Sequence, residues 1–334
     1  MQPSEQLRQQ LSQLQTHLNQ ITLPDYPGEP CHILATWGRQ QLRYYQPPQS
    51  IAAPPLLICL PAWAPHHLLD LQPEYSFIRH CLAAGHAIYV LTWQHAQATD
   101  QAVDFFHASV QVTTAAQRIA CQHAGKHEMA LFGIGQGGVS ALLYASSRPR
   151  TLSQLILIGT PIDHCTSQDL LGVLARQWLN EPYRWQQPVI AAPALSQLFA
   201  SLNPHAQYHK RYFELLPHRD EPQMLRQFKA LMRYKQNLLS VNRHYLRQYF
   251  TCCYAHNALV EQNPWGLSLR DIEVAVTQIV LSQDPAVPTD SADVLASQLC
   301  NPYTEIEMAS DLLTCFTGTH LVRLVELIDQ ALSP

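Results

Sequence analysis

Hydrophobic positions along this chain fall into two rhythms. Short apolar-rich runs recur at LRYY (42–45), LLICL (56–60), AIYVLTW (87–93), EMALFG (128–133), LILIG (155–159), VTQIVLS (276–282) and TEIEM (304–308). Runs without polar alternation suit strands of a parallel sheet buried on both faces. Between them lie longer amphipathic stretches, around 73–83, 101–123, 137–147, 286–299 and 319–332. Strand and helix in alternation predict a doubly wound α/β sheet. From about 165 to 268 the strand signal stops, and Leu, Tyr, Gln and Arg dominate. Breaks at Pro182, Pro188, Pro193, Pro204, Pro217 and Pro222 predict an all-helical insertion here, placed as a cap over a site.

The first 22 residues are polar apart from Leu7, Leu11, Leu14, Leu18 and Ile21. Their 4-3-4-3 spacing is an a/d seam, the mark of a helix with one apolar face. Such a helix either docks on its own domain or binds a partner, and Pro24, Pro27 and Pro30 end it. The expected organisation is therefore an amphipathic helix (1–26), a first part of the α/β core (27–164), a helical cap (165–268) and the rest of the core (269–334).

The segment EMALFGIGQGGVSALLYASS (128–147) reads as strand, tight turn and helix. That is the setting of the nucleophile elbow of the α/β-hydrolase fold, G-x-nucleophile-x-G. Gly133 and Gly137 are the flanking glycines, and Gly138 continues the turn into the helix. Gly135 stands at the nucleophile position and has no side chain with which to attack. A rival reading takes Gly133, Gly135 and Gly138 as the G-x-G-x-x-G of a dinucleotide site. That site needs an acid at the end of the next strand, where this chain has Gly159-Thr160-Pro161.

In the α/β-hydrolase order, acid and histidine follow the nucleophile, on loops after late strands. Asp284 directly follows VTQIVLS, and His320 precedes the last helix in FTGTH. Each alone could equally cap the helix beside it. With the elbow they form a relic triad: Asp284 to orient the imidazole and His320 to accept a proton. Ser140 and Cys121 lie too far along their helices to replace the nucleophile. Cys121, His123 and His127 lack a fourth neighbour for a metal, and no cofactor is expected.

Composition narrows the partners. A net charge of −4 argues against nucleic acid, and no apolar run reaches the length of a membrane span. Nine cysteines without metal-type spacing, and no signal peptide, lead us to expect reduced thiols in a cytoplasmic protein.

Several segments resemble the polyhydroxyalkanoate synthases, in particular the catalytic subunit of the two-subunit class III type. The family elbow GxCxGG is matched by GIGQGG (133–138), with glycine for the catalytic cysteine. The T-P-[VI]-D segment is matched by Thr160-Pro161-Ile162-Asp163, and D-x-x-V-P by Asp284, Val287 and Pro288. Gly318 and His320 match its G-x-H. LLI at 56–58, Asp70-Leu71, the AxGxxxYxxxW run from Ala83 to Trp93 and LRDI (269–272) are also similar.

The resemblance implies an enzyme that polymerises (R)-3-hydroxyacyl-CoA through a cysteine thioester, with His320 as base, Asp284 as its partner and the Gln136 backbone N–H as an oxyanion donor. Departures cluster at the same site. Besides Gly135, the chain has Ala64-Pro65-His66 for Asn-Arg-Pro, Thr92-Trp93-Gln94 for Asp-Trp-Gly, and Pro285 after the acid. The segment 309–317 is also longer than in the family. We therefore expect a catalytically impaired synthase-like protein. It would bind a synthase subunit or a second copy of itself, or hold acyl-CoA or polyester, in the cytoplasm or at the polyester granule. The alternatives are a slow thioesterase in which His320 and Asp284 activate water, or an active polymerase with an unidentified nucleophile.

Overall fold

The computed structural model describes residues 3–23, 26–48, 53–166, 168–203, 211–261 and 264–332. Eight strands form one sheet: β1 (His32–Trp37), β2 (Gln40–Tyr45), β3 (Leu56–Cys59), β6 (Ile88–Trp93), β7 (Met129–Ile134), β8 (Leu152–Ile158), β11 (Ala275–Leu281) and β12 (Tyr303–Met308). Their spatial order is β1-β2-β6-β3-β7-β8-β11-β12. From β6 to β12 every pairing is parallel, whereas β2 runs antiparallel to both β1 and β6. The central strands β3 and β7 are buried at every residue, which is why they read as unbroken apolar runs.

Helices α2 (Phe77–Ala83), α3 (Val112–Ala124), α4 (Gln136–Ser146), α10 (Thr289–Gln298) and α11 (Gly318–Leu332) connect or follow the strands. A π-helical turn, His107–Gln111, precedes α3. The seven strands and five helices expected of the core are therefore present. The strand β1 was not expected. It is one edge of the sheet, partly exposed along its length, and so lacks the apolar run that marks a buried strand. Two short antiparallel pieces, β4 (Asp70–Gln72) and β5 (Tyr75–Ser76), precede α2.

The inserted region carries α5 (Leu170–Leu179), α6 (Ala192–Leu202), α7 (Arg211–Leu215), α8 (Pro222–Gln236) and α9 (Arg243–Tyr249). It is not wholly helical, because β9 (Val189–Ile190) pairs antiparallel with β10 (Val241–Asn242). Pro193 and Pro222 lie in the first turns of α6 and α8, where the missing N–H costs nothing. The breaks expected at Pro24 and Pro204 fall outside the described residues.

Helix α1 (Pro3–Gln20) docks on this region. Leu14 and Leu18 pack with Leu215, Leu216 and Leu225 in a small cluster of their own. Lys229 Nζ donates to the carbonyls of Leu18 at 3.0 Å and Ile21 at 2.6 Å, placing a cation at the helix C-terminus. The seam thus serves the chain's own fold.

Candidate active site

β7 ends at Ile134 and α4 begins at Gln136, so the chain reverses on one residue. Gly135 adopts φ 53° and ψ −124°, strained for a residue with a Cβ and open to glycine. Its N–H donates to Ile158 O at 2.9 Å, and its carbonyl accepts from the Gly138 N–H at 2.9 Å. The flanking glycines allow close approach. A Cβ on Gly133 would lie 2.5 Å from Gly138 Cα, one on Gly137 2.2 Å from the Cys59 carbonyl oxygen, and one on Gly138 1.9 Å from Thr160 Oγ1. Helix α4 thus packs directly on β3, β7 and the end of β8. Position 135 is presented at the C-terminal ends of the parallel strands, as in a nucleophile elbow.

The space above that position is closed. A Cβ at 135 would stand 3.2 Å from Leu312 Cδ2 and 3.6 Å from Pro61 Cγ. The other Leu312 methyl would lie 3.3 Å from a Cβ at Gly159. Leu312 belongs to the loop between β12 and α11, and its side chain lies across the elbow.

Asp284 follows β11 as expected, but its partners are backbone amides. Oδ1 accepts from the N–H groups of Ala286 at 2.7 Å and Val287 at 3.3 Å, and Oδ2 accepts from the Leu312 N–H at 2.9 Å. Desolvation pushes its pKa up to about 6, against the pull of those N–H donors. Through Oδ2 the carboxylate fastens the Leu312 loop.

His320 is not brought to Asp284. It is the third residue of α11, half-buried, and no hydrogen bond or ion pair from a described residue reaches its ring. The start of α11 is tied to the cap instead, where Gln227 Nε2 donates to Thr317 Oγ1 at 2.8 Å. No hydrogen bond or ion pair joins the two residues of the expected dyad in this structure. The loop after β12 folds back early, so that Leu312 meets the acid and the elbow while His320 is carried away on the helix.

Gln136 opens α4, so its backbone N–H is among the first-turn donors that a helix leaves without an internal acceptor. Its side chain is buried and committed. Oε1 accepts from the Ala62 N–H at 3.0 Å, while Nε2 donates to Tyr245 OH at 2.9 Å and Ser140 Oγ at 3.3 Å. Ala62 lies in the loop after β3, which in this fold offers the second oxyanion donor. That N–H is already bonded to a side-chain carbonyl.

The same network joins the elbow to the cap through Tyr245 on α9. Ser140 Oγ also bonds Ser109 Oγ at 2.9 Å. Cys121 is far from the elbow, its thiol pointing at Thr151 O at 3.8 Å and pushed by burial up to about 11. Cys315 donates to Leu312 O at 3.1 Å, and burial raises its thiol well above the ordinary range. Protonated thiols of this kind are poor nucleophiles.

A model of the α/β-hydrolase fold matches residues 55–311. The chain belongs to the α/β-hydrolase fold family. Within that fold it is similar to the poly(3-hydroxyalkanoate) polymerase subunit of Allochromatium vinosum, 25% identical over 86% of this chain and 81% of that one. The corresponding subunit of Thiocystis violacea is 24% identical over 80% of this chain and 74% of its own. Among solved structures, a Pseudomonas aeruginosa hydrolase aligns with a TM-score of 0.55 at 13% identity, covering 90% of this chain and 96% of its own. An esterase from Thermogutta terrifontis gives 0.52 at 14%, covering 91% and 97%. These two structural likenesses show the fold alone.

Proposed function

We propose that this α/β-hydrolase-fold protein is a polyhydroxyalkanoate synthase-like chain that has lost catalysis and acts by binding. Its first ligand is a polymerase subunit, and acyl-CoA or polyester is a second candidate. The observation that carries the reading is the elbow itself, with Gly135 at the point of attack and Leu312 packed over it. The Ala62 N–H bonded to Gln136 and the Asp284 carboxylate bonded to backbone amides support it. A cytoplasmic place, at the polymer granule, goes with that role. The water-activating alternative needs Asp284 and His320 in contact, and Asp284 serves other groups. The alternative of an unidentified nucleophile finds Ser140 in a hydrogen-bonded network and Cys121 remote.

The test uses the purified protein with the polymerase subunit of Allochromatium vinosum. We expect no added CoA release from the protein alone. We expect a saturable change in the lag or the polymer length when the active subunit is present. A protein that turns over hydroxyacyl-CoA by itself overturns the proposal, and so does one that leaves the active subunit's kinetics and product unchanged at saturating concentration.

A further inference from the structure

We propose that position 312 is the seat of the lost histidine, so that Leu312, and not His320, marks the third corner of the former triad. The inference rests on the reading that the elbow is a catalytic relic.

A triad base must touch both the acid and the nucleophile. Leu312 spans the two. Its N–H lies 2.9 Å from Asp284 Oδ2, and its Cδ2 would lie 3.2 Å from a Cβ at position 135. A leucine side chain and an imidazole branch at the same atom, and imidazole Nε2 lies one bond beyond a leucine δ-carbon. A histidine here would aim Nε2 at a side chain on position 135. The backbone N–H of the same residue is already bonded to Asp284 Oδ2, so the acid holds this position beside the elbow.

His320 has neither contact, because α11 begins against α8. A Cβ on Gly318 would have Gln227 Nε2 as its nearest neighbour, at 3.8 Å. Nucleophile and base were therefore both replaced, and the leucine fills the volume between them with methyl groups. Restoring the nucleophile alone leaves it without a base.

The experiment compares Gly135→Cys, Gly135→Cys/Leu312→His and Gly135→Cys/His320→Ala. Iodoacetamide labelling at position 135 is followed against pH by peptide mass spectrometry, which separates it from the nine native cysteines. An imidazole beside a thiol lowers its pKa, so Leu312→His should speed labelling at pH 6.5 by about tenfold or more over Gly135→Cys alone. His320→Ala should leave the Gly135→Cys profile unchanged. With (R)-3-hydroxybutyryl-CoA the double variant should release one equivalent of CoA. The thiolate sulfur bonds to the carbonyl carbon, the bond from that carbon to the CoA sulfur breaks, and the CoA thiolate takes its proton from the imidazolium.

Coincident profiles for Gly135→Cys and Gly135→Cys/Leu312→His overturn the assignment. So does slower labelling on His320→Ala. Should Leu312→His fail to fold, Gly135→Cys/Leu312→Ala with added imidazole takes its place. Saturable acceleration supports the seat and a linear response overturns it. CoA release by the native protein would instead sink the pseudoenzyme reading, without touching the labelling comparison.

Discussion

Gly135 holds a backbone conformation that an enzyme of this fold reserves for its nucleophile. With glycine the strain is gone, and Leu312 lies against the place a side chain would take. Gly135→Ala should lower stability by about 1–3 kcal/mol, from the strained φ together with a methyl that Leu312 must yield to. Gly137→Ala should cost more, because its Cβ would fall 2.2 Å from a backbone oxygen of β3 that has little freedom to move. Chemical denaturation of the two variants checks the order, and equal losses would contradict it. The glycines were legible in the sequence because their spacing has a mechanical reason, and Asp284 because an acid directly follows a strand. Leu312 was not legible: an apolar residue in a loop carries no chemical signature. His320 offered one, as a histidine just after a glycine, and its place on a helix tied to α8 could not be read from that.

At the scale of elements, apolar runs located the fully buried central strands β3 and β7, and the exposed edge β1 escaped for want of such a run. The two-residue pair β9–β10 is too short for any period to show. The α1 seam was legible as a helix face, but its target was not. The match lies in Leu215, Leu216 and Leu225, far along the chain.

The connection from β8 to α5 holds the fully buried His164. Its Nδ1–H donates to Ile162 O at 3.0 Å and its ring meets Tyr254 edge-on at 4.5 Å. Burial lowers its pKa to about 4. The unfolded chain protonates this ring near 6.5 and the folded chain only near 4. Its contribution to stability is therefore complete above 6.5 and is lost as pH falls toward 4. Between pH 7.5 and 5 the native protein should lose up to about 2 kcal/mol more stability than His164→Phe. Parallel losses in denaturation at the two pH values would show that this ring is not held neutral.

The whole molecule keeps the sheet and the elbow of its fold family and an acid after β11, with glycine at position 135 and the acid bonded to backbone amides. The Gln136–Tyr245 bond fastens the inserted region to the elbow. Retained architecture without the reacting groups is what a binding role leaves to be maintained. The most direct measurement is CoA release from (R)-3-hydroxybutyryl-CoA by the native protein alone, beside the Allochromatium vinosum polymerase subunit as the active control. The account predicts release no faster than the uncatalysed background. Sustained turnover by the native protein would contradict it.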